Sequence, residues 1–229
     1  MIRIKGKVKK RGKDKNHIRS NILMIIGIIL VFGGISLFSY SKYTVALKKA
    51  NAIELEKSFE KPKTNTLNLN RKEEMALITE KGDPIIDSAI GVIRIDTLDV
   101  VLPIYDKVNE KIMLSGVGVL EDTDLPSSQE NTITVLAGHR NVIKGINFFR
   151  DIDKLQAGDE IKITMPKEIL YYQVLEQEII DPYDWSKFTR EKNKTKLMLL
   201  SCHPYPENHQ RLLVKAKLKR HVYNEQLIQ

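Results

Sequence analysis

The stretch LMLLSC-HPYPENHQ-RLLVKAKL, residues 197–218, decides the fold class. Leu197–Cys202 is a short apolar run of strand length, residues 203–210 form a loop with two prolines, and Arg211 opens a second strand-like run. Paired as antiparallel neighbours, these two runs put a thiol and a guanidinium at the mouth of one hairpin. Outward from this hairpin the same texture recurs in IGVIRI (90–95), VVLPIY (100–105), TITVLA (132–137), EIKITM (160–165) and LYYQVLEQEII (170–180). Clusters of Asp, Asn, Gly and Pro separate these runs, a spacing that predicts an all-β barrel or sandwich. A short helix is expected at Asn109–Leu114 and a turn at Ile146–Asp153, and no internal repeat is visible.

Charge divides the chain further. Of 229 residues, 37 are Lys or Arg and 29 are Asp or Glu, a formal net charge of +8. Residues 1–20 alone hold nine basic side chains and one acid, so the remaining 209 residues balance at 28 of each sign. A nucleic-acid interface needs a basic surplus spread over a folded face, and the folded part has none. With 12 Gly and one Cys, collagen-like and disulfide-scaffold classes are excluded as well.

Between Ser20 and Ser41 no charged residue occurs, and Ile22–Phe38 reads ILMIIGIILVFGGISLF. A run of this length spans a bilayer core as a helix. The heavier positive charge precedes it, which predicts a cytoplasmic N-terminus and an extracellular remainder. The expected organisation is a basic tail (1–20), a transmembrane signal anchor (21–41), a juxtamembrane helix and linker (42–83), an extracellular strand-rich domain (84–222) and a polar tail (223–229). Pro62 should end the juxtamembrane helix, and a short helix is expected around residues 72–79.

Cys202 is the single cysteine, so on the outer side of a membrane it is buried, paired between chains, or reactive. A third chemical residue stands at a strand end: TITVLA runs into Gly138-His139-Arg140, where the glycine permits a sharp exit that presents the imidazole at the rim. A thiolate attacks acyl carbon, an imidazolium protonates a leaving amine, and a guanidinium stabilises an oxyanion or holds a substrate carbonyl. A strand-end cysteine is also a common small hydrophobe, so spacing alone leaves the reactive and structural readings both open. A zinc site from Cys202, His139, His203 and His209 is disfavoured by the adjacent Cys-His step, and no metal or other cofactor is expected. Glu121, Asp122 and Asp124 read as a solvated turn, without a calcium requirement.

MLLSC (198–202) resembles, with changes, the TLxTC signature of sortases, the membrane-anchored cysteine transpeptidases of Gram-positive bacteria. The resemblance covers roughly residues 90–218. It includes GVIRID (91–96), LPIYD (102–106), GVGVLEDTDLP (116–126), LAGHR (136–140), FRDIDKLQAGDEI (149–161) and SCHPYPENHQRLLVKA (201–216). Met198 and Ser201 stand where the signature has threonines.

The resemblance implies a sortase-type eight-stranded β-barrel with short helices behind one transmembrane helix. It implies Cys202 as nucleophile, His139 as acid/base partner and Arg211 as oxyanion or substrate-holding residue, with Ser201, Ala137, His203 and Trp185 lining the substrate groove. The implied partners are LPxTG-like sorting signals, an amine on lipid II or on a pilin lysine, and the membrane. The absence of a second apolar helix favours a class A-like enzyme over a class D-like or pilus-related one. The rival of another class is a catalytically silent, membrane-tethered barrel that binds peptides or cell-wall components.

Overall fold

Apolar runs of strand length must find partners for their backbone groups, and here the pairing goes all the way round. The structure is a computed structural model that describes residues 13–60, 88–143 and 146–223. Its elements are α1 (Lys13–Glu60), β1 (Gly91–Ile95), β2 (Val100–Tyr105), α2 (Glu110–Met113), β3 (Val117–Val119), β4 (Thr132–Ala137), β5 (Val142–Ile143), β6 (Ile146–Asn147), β7 (Glu160–Thr164), β8 (Glu168–Ile180), β9 (Thr195–His203) and β10 (Gln210–Tyr223). Eight strands close in the order β1-β2-β3-β4-β9-β10-β8-β7, and β5 and β6 form a separate hairpin. The expected eight-stranded barrel is therefore found. Two seams are parallel, β2 with β3 and β4 with β9, and the remaining barrel seams are antiparallel.

The run LMLL fails to alternate because β9 is buried on both faces. Leu197 and Leu199 join Leu136, Leu212 and Val214 in the main core, together with Phe148, Phe149 and Tyr172. Met198 lies on the opposite face with Ile133, Val135, Ile180 and Leu213, where Leu120 and Phe188 cover it. This second cluster needs a lid because it faces away from the barrel interior, and the segment between β8 and β9 supplies Phe188 for it.

Two local differences from the sequence expectation have physical causes. The three-residue β3 was too short for its period to register, and it exists because Gly116 and Gly118 let neighbouring backbone approach. A Cβ on either would stand 2.3 Å from a carbonyl oxygen, of Pro103 or Lys107 respectively. The turn expected over Ile146–Asp153 resolves into β6 followed by a 3-10 turn at Ile152–Lys154. The helix expected at Asn109–Leu114 is α2, with the Asn109 side chain accepting from the Ile112 N–H at 3.0 Å. The helix expected around residues 72–79 lies outside the described residues.

α1 crosses the boundary between two compact units, Met1–Thr44 and Val45–Gln229. Within the first unit, the described side chains from Met24 to Tyr43 are exposed and mostly apolar, and the best 18-residue window of the helix has a mean hydropathy of 2.0. This stretch is a candidate membrane anchor. Within the second unit the last turns of α1 lie on the outside of β1, β2 and β7. Ala52 packs with Val92 and Val101, flanked by Ile53, Leu55 and Phe59. Glu56, only 3% exposed, accepts from Arg94 Nε at 3.0 Å, from Lys162 Nζ at 3.0 Å and from the Thr164 hydroxyl at 3.3 Å.

A buried carboxylate with three donors exceeds an ordinary surface ion pair, although Arg94 and Lys162 remain 25% and 21% exposed and are partly screened. Glu56→Ala is expected to destabilise the unit by about 1–3 kcal/mol. Urea unfolding of a fragment starting at Val45 measures it, and an unchanged midpoint would show that the helix end is only a passive neighbour.

Candidate active site

Strand β9 carries Cys202, and its two neighbours bring the other candidates. β4 runs parallel to β9, with Ala137 opposite Leu200, and the Gly138 N–H continues the ladder to Leu200 O at 3.1 Å. His139 therefore leaves β4 at the end where Cys202 sits on β9. β10 runs antiparallel on the other side, with Arg211 directly opposite Cys202. Side chains alternate along strands, so Cys202 falls in the row of Met198 and Leu200, and Arg211 in the row of Leu213. Both rows belong to the cluster on the outer face. Cys202, His139 and Arg211 are thus brought to one end of three adjacent strands, and all three are partly exposed.

The exit at Gly138 is tight for a reason the sequence did not reveal. Gly138 does not adopt a positive φ; among the described glycines only Gly158 does, at 102°. Its missing side chain instead makes room for Phe149, whose ring carbon would lie 2.6 Å from a Cβ there. The Phe149 N–H donates to His139 O at 2.9 Å, and the His139 ring stands edge-on to Phe148 with centroids 6.5 Å apart. Two fully buried phenylalanines thus hold the chain at the imidazole.

The expected groove residues are placed differently from one another. Ser201 is buried, and its hydroxyl donates to Gly138 O at 2.8 Å, stapling β9 to β4 instead of facing Cys202 or Arg211. Ala137 is buried in the β4 row that holds Ile133 and Val135. His203 turns its Nδ1 to Arg140. Arg211 Nη1 donates to Asn208 O at 3.0 Å and to Gln210 O at 2.8 Å, so loop carbonyls orient its fork. Trp185 is 60% exposed and lies edge-on to Phe188, 5.8 Å between centroids. With Phe188, Glu121, Asp122 and Thr123 it lines a cavity of about 230 Å³.

Sequence reading missed Arg140. Its guanidinium is buried and joined to Asp153 and His203, and the His203 partner is 63 residues away. A charged residue directly after a glycine-histidine pair was the only local sign of it. No group of three or more His, Cys, Asp or Glu side chains suited to a metal occurs among the described residues.

A sortase-domain family model matches residues 93–219. The chain belongs to the sortase family. Sortase D of Bacillus subtilis (strain 168) is 26% identical over 178 residues, covering 78% of this chain and 84% of that protein. Sortase A of Listeria monocytogenes serovar 1/2a (strain ATCC BAA-679 / EGD-e) is 23% identical over 203 residues, covering 87% and 89%. The crystal structure of Streptococcus pneumoniae sortase C, studied for catalysis and pilin substrate specificity, is 31% identical with a TM-score of 0.57. It covers 60% of this chain and 69% of that one. Relatives named sortase A, C and D all match, so membership rests on the shared domain and not on the class A-like assignment. Sortases are cysteine transpeptidases acting on sorting-signal proteins.

The loop that carries Trp185 in this sortase is tied to the β3–β4 loop by Arg190, which holds Asp124 through two bonds of 2.9 Å. The Arg190 guanidinium keeps the Asp124 carboxyl below the usual carboxylate range, against the opposing effect of burial and with help from the Ile133 N–H. A depressed folded value means the tie contributes stability above the unfolded carboxylate value of about 3.9 and loses it as pH falls through the lowered one. Trp185 is the single tryptophan, so its fluorescence reports this loop. A shift in emission is expected only below about pH 4, and Asp124→Asn should show the shifted emission already at neutral pH. Identical emission of the two proteins at neutral pH would show that the tie does not position the loop.

Proposed function

We propose that this sortase cleaves an LPxTG-like C-terminal sorting signal through a thioester on Cys202 and transfers the acyl group to an amine at the cell surface. The observation that carries the reading is the meeting of Cys202, His139 and Arg211 at one end of β4, β9 and β10, within a domain of the sortase family. In the first half-reaction the Cys202 thiolate adds to the threonine carbonyl carbon. The carbonyl oxygen takes the negative charge, which the Arg211 fork is suited to stabilise. The carbon–nitrogen bond then breaks, and the glycine amine leaves with a proton from the His139 imidazolium. In the second half-reaction an amine attacks the thioester carbonyl, gives its proton back to His139, and expels the thiolate. The acceptor proposed is an amine of the peptidoglycan precursor lipid II or of a pilin lysine.

The anchor is proposed to run in the type II sense, with residues 1–20 in the cytoplasm and the barrel outside, because the +8 of that tail stands before the apolar run. Cationic side chains there also meet anionic headgroups. In intact protoplasts, external protease is expected to remove a C-terminal tag and spare an N-terminal one. Protection of the C-terminal tag would reverse the topology.

Cys202→Ala is expected to abolish cleavage of an LPxTG peptide while leaving the thermal unfolding midpoint within a few degrees of the wild type. Arg211→Lys keeps the charge but loses the fork, and its kcat/KM should fall by about 10²–10³. Mass spectrometry of the protein mixed with sorting peptides and amines should capture the thioester at Cys202 and the amide product. Turnover by Cys202→Ala equal to that of the wild type would favour the silent peptide-binding barrel instead.

A further inference from the structure

Arg140 and His203 are the residues that directly follow His139 and Cys202 in the chain, and the transfer chemistry above uses neither. Arg140 is 8% exposed although its strand has already ended. Its guanidinium is held in three directions. Nε donates to Arg150 O at 3.2 Å, Nη2 pairs with Asp153 Oδ2 at 2.9 Å, and Nη1 lies 2.6 Å from His203 Nδ1. A guanidinium has donors and no acceptor, so the His203 ring accepts at Nδ1 and its proton sits on Nε2.

The position of this bond along the seam gives it meaning. The β4–β9 backbone ladder is last tied by the Gly138 N–H to Leu200 O and by the Ser201 hydroxyl to Gly138 O. One step further stand His139 and Cys202, with no backbone bond between their strands beyond Gly138 among the described residues. The next link on that seam is the Arg140–His203 bond. It is anchored from outside the seam by Asp153, within the 3-10 turn that packs Ile152 into the core.

We propose that Arg140 and His203 form a clamp across the β4–β9 seam that sets the spacing of His139 and Cys202. The proposal rests on the reading of those two residues as acid/base and nucleophile. Arg140 and His203 are positioning residues in it, acting through their chain neighbours. A proton at His203 Nδ1 removes the acceptor and sets two cations against each other, so the clamp opens when the ring is protonated. The groups that face the ring are Arg140 beyond β4, Asp153 at the 3-10 turn and His209 in the β9–β10 loop. Burial pushes the ring below the ordinary imidazole value, the charges of Arg140 and His209 push the same way, and Asp153 opposes them. The clamp is closed at neutral pH and is lost as pH falls through that lowered value.

The test measures kcat and KM for an LPxTG peptide with an added amine across roughly pH 5–9, on the full chain in detergent. It compares the wild type with His203→Asn, His203→Leu and Arg140→Lys, each checked by thermal unfolding. Asparagine places an amide oxygen near the Nδ1 position and does not titrate; leucine offers no acceptor. His203→Leu is expected to lower kcat about 10–100-fold at neutral pH with KM within about twofold, as displacement of a reacting group does. His203→Asn should recover to within about threefold of the wild type and lose activity less steeply toward acid. Arg140→Lys should resemble the leucine variant, since an ammonium does not reproduce the fork. Wild-type kcat in His203→Leu, or a wild-type acid limb in His203→Asn, overturns the clamp.

Imidazole NMR of the wild type reads the clamp without reference to activity. An Nε2–H tautomer that titrates below the ordinary imidazole value supports it, and an Nδ1–H tautomer overturns it. If the wild type turns over no peptide, the sortase reading of the site fails and the NMR tautomer alone decides the clamp. If Arg140→Lys does not fold, the two His203 variants at a half-buried position still decide it.

Discussion

The parallel pairing of β4 with β9 is the constraint on which the site depends. Six residue pairs, from Thr132 with Thr195 to Ala137 with Leu200, set one register between segments more than 60 residues apart in sequence. Parallel strands run out at the same end, so the residues after Ala137 and those after Leu200 must meet there. The antiparallel β10 then adds Arg211 opposite Cys202 from the other side. Side-chain direction has a period of two, and a slip of one residue would turn Cys202 toward the barrel interior and Ser201 outward. The register is protected because β9 is buried on both faces, with Leu197 and Leu199 in one cluster and Met198 in the other.

Around that seam the structure uses small and polar side chains to fix position. Gly138 admits the Phe149 ring, Ser201 staples β9 to the Gly138 carbonyl, and Arg140 reaches Asp153 and His203. Each contact lies within two residues of a proposed catalytic group in the chain. Residues held on strand ends by packed neighbours keep their geometry better than residues carried on free loops. The β8–β9 segment is more exposed; there Trp185 rests on Phe188 and Arg190 pins the loop to Asp124.

Helix α1 combines two chemistries in one element. Its described N-terminal part presents exposed apolar side chains suited to lipid, whereas its last turns place Ala52 on Val92 and Val101 and bury Glu56 among Arg94, Lys162 and Thr164. Residues 45–60 of α1 are therefore part of the compact unit Val45–Gln229, packed on the barrel and not merely a spacer. Its ion network was invisible in sequence because Glu56 meets partners 38 to 108 residues away.

The sequence by itself determined the apolar segment, the separation of the charge surplus from the folded part, most of the strands and the three residues proposed for acyl transfer. Those features are local: uncharged length, charge counts, and short apolar runs bounded by turn residues. It also carried the family, through MLLSC, LAGHR and the joined 201–216 stretch. Only the tertiary structure decided that β3 exists, that Ser201 turns to Gly138, that Gly138 serves Phe149 and not a left-handed backbone, and that Arg140 is buried between Asp153 and His203. Each of those facts depends on a neighbour brought by strand register from a distant part of the chain, and register is set by packing on both faces of the sheet, which no local pattern encodes.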